Sequence, residues 1–205
     1  MSDPEGAAPR RGIRPLPALA GAVVIAVAAG TAGYLAASPD RPGDGSAEAG
    51  FSRDMTIHHA QAVEMALIVR DNTADSDIRT LALDITLTQQ NQIGRMQDWL
   101  IQWDLPLTGS RPAMSWMPGH KSHDGTRAMP GMATLDEIKR LRTSKGKDAE
   151  VLFLTLMIEH HRGGIDMAKG VLARTGQEKV RDLAQSIANG QRSEISGMEE
   201  MLKER

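Results

Sequence analysis

The six histidines of this chain fall into three pairs, His58/His59, His120/His123 and His160/His161, and methionines stand beside each pair. Met55 lies three residues before His58 and four before His59, and Met157 stands in the same relation to His160 and His161. On a helix that spacing puts sulfur and imidazole on one side. Met114, Met117, Met129 and Met132 surround the middle pair. Imidazole nitrogen and thioether sulfur are neutral, fairly soft donors. They suit Cu(I), and His also serves Cu(II) or Zn(II), whereas Mg²⁺ or Ca²⁺ would call for carboxylates. Copper is the leading candidate and zinc stays open. The expected ligands are Met55, His58, His59, Met157, His160 and His161, joined by Met114, Met117, His120, His123, Met129 and Met132. Met65 and Met167, two turns past the first His of their pair, are expected either in the core or directly behind the ligands. Adjacent helical residues diverge by about 100°. One His of each adjacent pair is therefore expected to face the partner helix, the other solvent or the central segment.

Both His-His pairs sit in a duplicated pattern. Phe51–Leu100 aligns without a gap on Phe153–Leu202, pairing Arg79 with Arg181, Ile85 with Ile187, Gln89 with Gln191, Ile93 with Ile195 and Met96 with Met198. About a third of the paired positions are identical, far above chance for an ungapped stretch. The copies still differ. Ile57 stands opposite Glu159, Thr56 opposite Ile158, and Gln61-Ala62 opposite Gly163-Gly164. Mid-helix glycine costs roughly 1 kcal/mol against alanine, so close helix–helix approach is the expected reason for the glycine pair.

Each copy reads as two helices. The first is expected from about Ser52 to Arg70, and the Asp71-Asn-Thr-Ala-Asp-Ser cluster ends it. Asp75 or Ser76 caps a longer helix reaching about Trp103. Residues 104–133 carry Pro106, Pro112, Pro118 and Pro130, which forbid a long helix. Their methionines are expected to lie exposed, since little apolar sequence surrounds them. Thr134 and Glu137 form a capping box for a short helix over Leu135–Leu141. The second copy gives helices from about Asp148 to Arg174 and onward to about Lys203. Met96 and Met198 lie on apolar stripes and are expected in the core. The expected fold is all-α: a four-helix bundle made of two repeated hairpins, spanning 51–204, with a Met/His-rich central segment at 104–133. No alternating run of β-branched residues suggests a strand.

The N-terminus reads as a basic segment, 1–14, followed by an uncharged apolar stretch, 15–38, and a Pro/Gly-rich linker, 39–50. At ~1.5 Å per residue the apolar stretch can just cross a ~30 Å hydrocarbon core. Arg10, Arg11 and Arg14 place the preceding residues in the cytoplasm and the rest outside it. The expectation is a membrane anchor with the domain outside the cytoplasm, or a secreted protein if this segment is a cleaved signal. The net charge of −2 and the aromatic content of 3% give no reason to expect nucleic acid. Cysteine is absent, which excludes disulfides, thiolate ligands and a thiol nucleophile.

Enzyme patterns do not fit. A di-iron bundle needs paired Glu-x-x-His motifs, yet Glu159 directly precedes His160 and its counterpart is Ile57. The His120-x-x-His123 pair lies among prolines and glycines without a suitable Glu. A serine nucleophile elbow is missing. The expectation is a protein that binds metal without catalysis, handing it to a copper-transfer partner or sequestering it. A metal-free structural or partner-binding bundle, and a metal-dependent oxidoreductase, are the alternatives.

The doubled Met-x-x-His-His-x-x-(Ala/Gly)-x-x-Met pattern resembles the bacterial family called domain of unknown function 305. Met157 through Ala168 is especially similar to its signature, and Met129-Pro-Gly-Met132 before a short helix matches as well. The resemblance spans about residues 50–203. It implies a ferritin-like four-helix bundle, export from the cytoplasm and, for some members, copper binding and copper resistance. It also implies Met55, His58, His59, Met157, His160 and His161 as ligands, with the central Met and His residues.

Overall fold

The computed structural model describes residues 41–117, 119 and 129–205. Among the described residues five helices follow in order: α1 (Ala47–Asn72), α2 (Ser76–Gln102), α3 (Leu135–Thr143), α4 (Gly146–Leu172) and α5 (Glu178–Lys203). The described residues contain no strand. None of their helices is long and apolar enough to cross a membrane. The expected anchor at 15–38 lies outside the described residues.

Caps explain most of the boundaries. Ser46 Oγ accepts from the Ala49 amide at 3.1 Å, so α1 starts at Ala47, inside the stretch expected as linker, rather than at Ser52. The Asp75 carboxylate accepts from the amides of Asp77 and Ile78, both at 3.0 Å, and starts α2. Thr134 and Glu137 close the expected capping box on α3. The two hairpin turns are built alike. The hydroxyls of Thr73 and Thr175 accept the amides of Asp75 and Gln177, at 2.9 and 3.0 Å. Arg79 and Arg181 reach back to the carbonyls that end the preceding helix, Arg70 and Thr73 in one copy, Leu172 and Thr175 in the other. The duplication therefore preserves turn chemistry as well as apolar spacing.

α1 packs on α2, α4 on α5, and the hairpins meet mainly through α1 and α4. The interior divides into two apolar clusters. One takes Phe51 and Met55 from the start of α1, Met96 and Trp99 from the end of α2, Met167 and Val171 from the end of α4, and Leu183 and Ile187 from the start of α5. The other takes Met65 and Val69, Ile78 and Ile85, Phe153 and Met157, and Met198 from the opposite ends of the same helices. The sharing shows that α1 and α4 run antiparallel. It also shows where they cross. The His-His pairs lie in sequence between the residues of one cluster and those of the other, so they form a layer across the middle of the bundle.

Candidate metal centre

His58, His59, His160 and His161 are all fully buried, with no exposed surface. No ring faces solvent, which corrects that half of the expectation, whereas the expected approach to the central segment is made by His58 at Pro130. Each ring that turns away from the α1–α4 contact finds a side chain on its own hairpin instead. His59 Nε2 lies 2.7 Å from Gln92 Oε1 on α2, and His161 Nε2 lies 2.6 Å from Glu194 Oε2 on α5. The two bonds occupy equivalent places in the repeat, each spanning 33 positions. At the helix crossing, the His58 and His160 rings stack with centroids 3.8 Å apart and planes inclined by 35°. His58 Nε2 also lies 3.0 Å from the Pro130 carbonyl oxygen.

These acceptors settle the protonation of the rings. A carbonyl or carboxylate oxygen can only accept, so Nε2 of His58 and of His161 carries the proton and donates it. The Gln92 carboxamide, with its oxygen toward the ring, does the same for His59. A neutral imidazole with its proton on Nε2 leaves Nδ1 as a bare lone pair. Nδ1 of all three rings is buried without a hydrogen-bond partner, and His160 has no partner at either nitrogen. Burial is the main force holding His58, His59 and His160 neutral. It lowers His58 to about 4, with the Pro130 bond partly opposing it. It lowers His59 to about 3, helped by the charge that His58 would carry. His160 is pushed well below 6.5 by burial and then by the three other imidazoles.

Two more polar side chains share the layer. Gln89 and Gln191 are buried, and neither end of either carboxamide has a hydrogen-bond partner. Gly164 makes room for Gln191, whose carboxamide fills the space a side chain there would need. An unsatisfied buried polar atom costs about 1–3 kcal/mol. A layer with this many unpaired donors and acceptors therefore costs stability, which an ion bound by the acceptors would partly offset. The donor set fits a soft or borderline metal: neutral imidazole nitrogens, thioethers one turn away, and each outward Nε2–H tied to an oxygen, as metal-ligating histidines usually are. Among the described residues, no group of three or more His, Asp or Glu is already arranged around one metal position. Side chains in the layer would have to rotate to converge.

The methionines are distributed differently from the expectation of one converging ligand set. Met55 shares its cluster with Met167, and Met157 shares the other with Met65, so sulfur flanks the His layer on both sides. All four are fully buried, as are Met96 and Met198. The central methionines are not the exposed residues expected. Met114 and Met129 are buried, while Met117 and Met132 are half-buried against the first cluster. The Asp54 carboxylate explains part of this: it accepts the Met114 amide at 2.7 Å and the Trp116 indole N–H at 2.8 Å. Trp116 then packs edge-on against Phe51, with ring centroids 5.9 Å apart. Burial raises the Asp54 carboxyl against the pull of these bonds. His120 and His123 lie outside the described residues.

Met129–Ala133 forms a strap over the His layer. Gln61 on α1 clamps it from both directions, donating to the Ala133 carbonyl at 2.9 Å and accepting its amide at 2.7 Å. On α4, a side chain at Gly163 would run into the Pro130 carbonyl, and one at Gly131 into the Glu159 carbonyl. Gly131 also has φ +73°, which favours glycine. Gly163 thus makes room for a loop backbone, not for a neighbouring helix as expected. Gln61 and Gly163 are repeat-equivalent, so the strap turns one symmetric position into a clamp on one side and a slot on the other. Sequence reasoning missed Gln92, Glu194 and Pro130. The shared 33-residue offset was the one signal that could have found the first two.

The comparisons agree with this architecture. A structure of a DUF305 protein from Streptomyces coelicolor, described as a candidate secreted protein, shares 50% identity over 79% of this chain and 95% of its own, with a TM-score of 0.73. A DUF305 fragment from Deinococcus radiodurans shares 33% identity over 78% and 97%, with a TM-score of 0.64. CopM in its Cu(II)-bound form shares 25% identity over 78% and 97%, with a TM-score of 0.59. No curated protein matches the chain. The family described as a domain of unknown function (DUF305) matches residues 48–202, and with its doubled His-His helices crossing at a buried polar layer this chain belongs to that family.

Proposed function

We propose that this protein binds copper outside the cytoplasm, in the His layer between α1 and α4, and holds it for sequestration or for delivery to a copper-transfer protein. The observation that carries the reading is the polarity of the imidazoles. Three have a buried Nδ1 without a partner while their Nε2–H groups donate to Pro130, Gln92 and Glu194, and the fourth is unpartnered at both nitrogens. Neutral nitrogen with flanking sulfur favours Cu(I). His58, His59, His160 and His161 are the primary ligands, Met55 and Met157 supply sulfur from either side, and Met65 and Met167 stand behind. Met129 and Met132, on the strap, and Met114 and Met117 before it, are the route by which the ion enters, with His120 and His123 as further capture groups.

Two relatives support this. CopM is described in a Cu(II)-bound form, and the description of the Streptomyces protein as a candidate secreted protein supports a place outside the cytoplasm for this one. The bundle acts as a ferritin-like scaffold without catalysis in this reading. The test is anaerobic titration of the protein with Cu(I) against a competing chelator, alongside a variant with His58, His59, His160 and His161 all changed to Ala.

A further inference from the structure

The two halves of the His layer are equivalent in geometry and unequal in charge. His59 donates to the neutral carboxamide of Gln92 at 2.7 Å, and His161 donates to the carboxylate of Glu194 at 2.6 Å. Both acceptors hang from the outer helix of their hairpin and both are half-buried. Glu194 keeps 25% of its side chain exposed while His161 has none. A single oxygen-for-nitrogen exchange thus puts a negative charge behind one imidazole and not behind its twin. A carboxylate accepting from the far side of a ligating imidazole makes that ring a stronger donor, and its field favours the more highly charged ion.

We propose that Glu194 sets the oxidation-state preference of the copper site: its carboxylate behind His161 stabilises Cu(II) relative to Cu(I), and Gln92 marks the half without that bias. The inference rests on the copper reading above. It deepens that reading by making the bundle asymmetric in function, with a half adapted to Cu(I) beside one that also holds Cu(II). Glu194 acts through His161, so it is a positioning residue and not itself a ligand.

The chain already shows that the substitution can be accommodated, because glutamine at the repeat-equivalent place makes the same bond. Glu194→Gln is expected to keep its helical content. It should lower the ratio of Cu(II) to Cu(I) affinity about tenfold or more, a shift of ~59 mV in a one-electron potential. Gln92→Glu should raise the ratio. Affinities for each ion, measured against competing chelators, and the midpoint potential of the bound copper give two independent readouts. If the ratio is unchanged in both variants, or if both affinities fall by the same factor, Glu194 only holds the ring in place and the inference is overturned while the copper reading stands. If the unmodified protein binds neither ion, the copper reading fails and the inference fails with it. Should Glu194→Gln not fold, Gln92→Glu decides the matter, with an unchanged ratio overturning the inference.

Discussion

At the scale of single residues, the site turns on which nitrogen of each imidazole is left without a partner. Histidine and methionine repeating together point to a soft metal wherever they sit. Which nitrogen faces the interior depends on acceptors contributed from elsewhere, Pro130 from the strap and Glu194 from α5, and no spacing within α1 or α4 reveals them. The same holds for Met114 and Met129, buried by contacts that a Pro/Gly-rich sequence does not advertise. His160 gives the sharpest residue-level prediction. It is fully buried with neither nitrogen partnered, so it costs stability in the metal-free protein. His160→Leu has a similar volume and removes two buried nitrogens that lack a well-formed hydrogen bond. Urea unfolding of the metal-free protein should show a gain of about 1–2 kcal/mol, with Cu(I) affinity falling. A loss of stability would instead mark His160 as a structural residue.

At the scale of elements, the helices were readable because capping and turn chemistry are local. Asp75, Thr134 and Glu137 act where the sequence placed them. The start of α1 was misplaced because Ser46 sits in a stretch whose composition reads as linker. The strap at 129–133 was invisible for another reason. Prolines and glycines show where a helix cannot form, but not which backbone the chain then lies against. Gly131→Ala tests the strap. A left-handed residue with a side chain costs about 1–2 kcal/mol, and here the added carbon also meets the Glu159 carbonyl. The variant should be less stable by at least that amount in chemical unfolding. Its Cu(I) affinity should also fall, since His58 depends on the adjacent Pro130 for its Nε2 acceptor. Unchanged affinity in the folded variant would separate the strap from the site.

At the scale of the whole molecule, the duplication made the architecture readable. Two hairpins with one apolar face each bury those faces best against one another, and the antiparallel crossing of α1 and α4 brings the His-His pairs together. The polar layer makes stability depend on pH. His58, His59 and His160 have folded values below the ordinary 6.5, so the unfolded chain takes up protons first as pH falls. The stability they contribute is complete above pH 6.5 and is lost progressively toward the folded values of about 4 for His58 and about 3 for His59. The slope can reach ~1.4 kcal/mol per pH unit for each ring. Asp54, raised from 3.8, works in the opposite direction, one group against three. The midpoint temperature of the metal-free protein should therefore fall between pH 6.5 and 4.5, and a flat profile would mean that water already solvates the layer. The central claim is tested most directly by anaerobic Cu(I) titration against a competing chelator. Tight binding at a defined stoichiometry, lost when His58, His59, His160 and His161 become Ala in a protein that keeps its helical content, is the predicted result. Affinity that survives the fourfold change, or is absent from the unmodified protein, would contradict it.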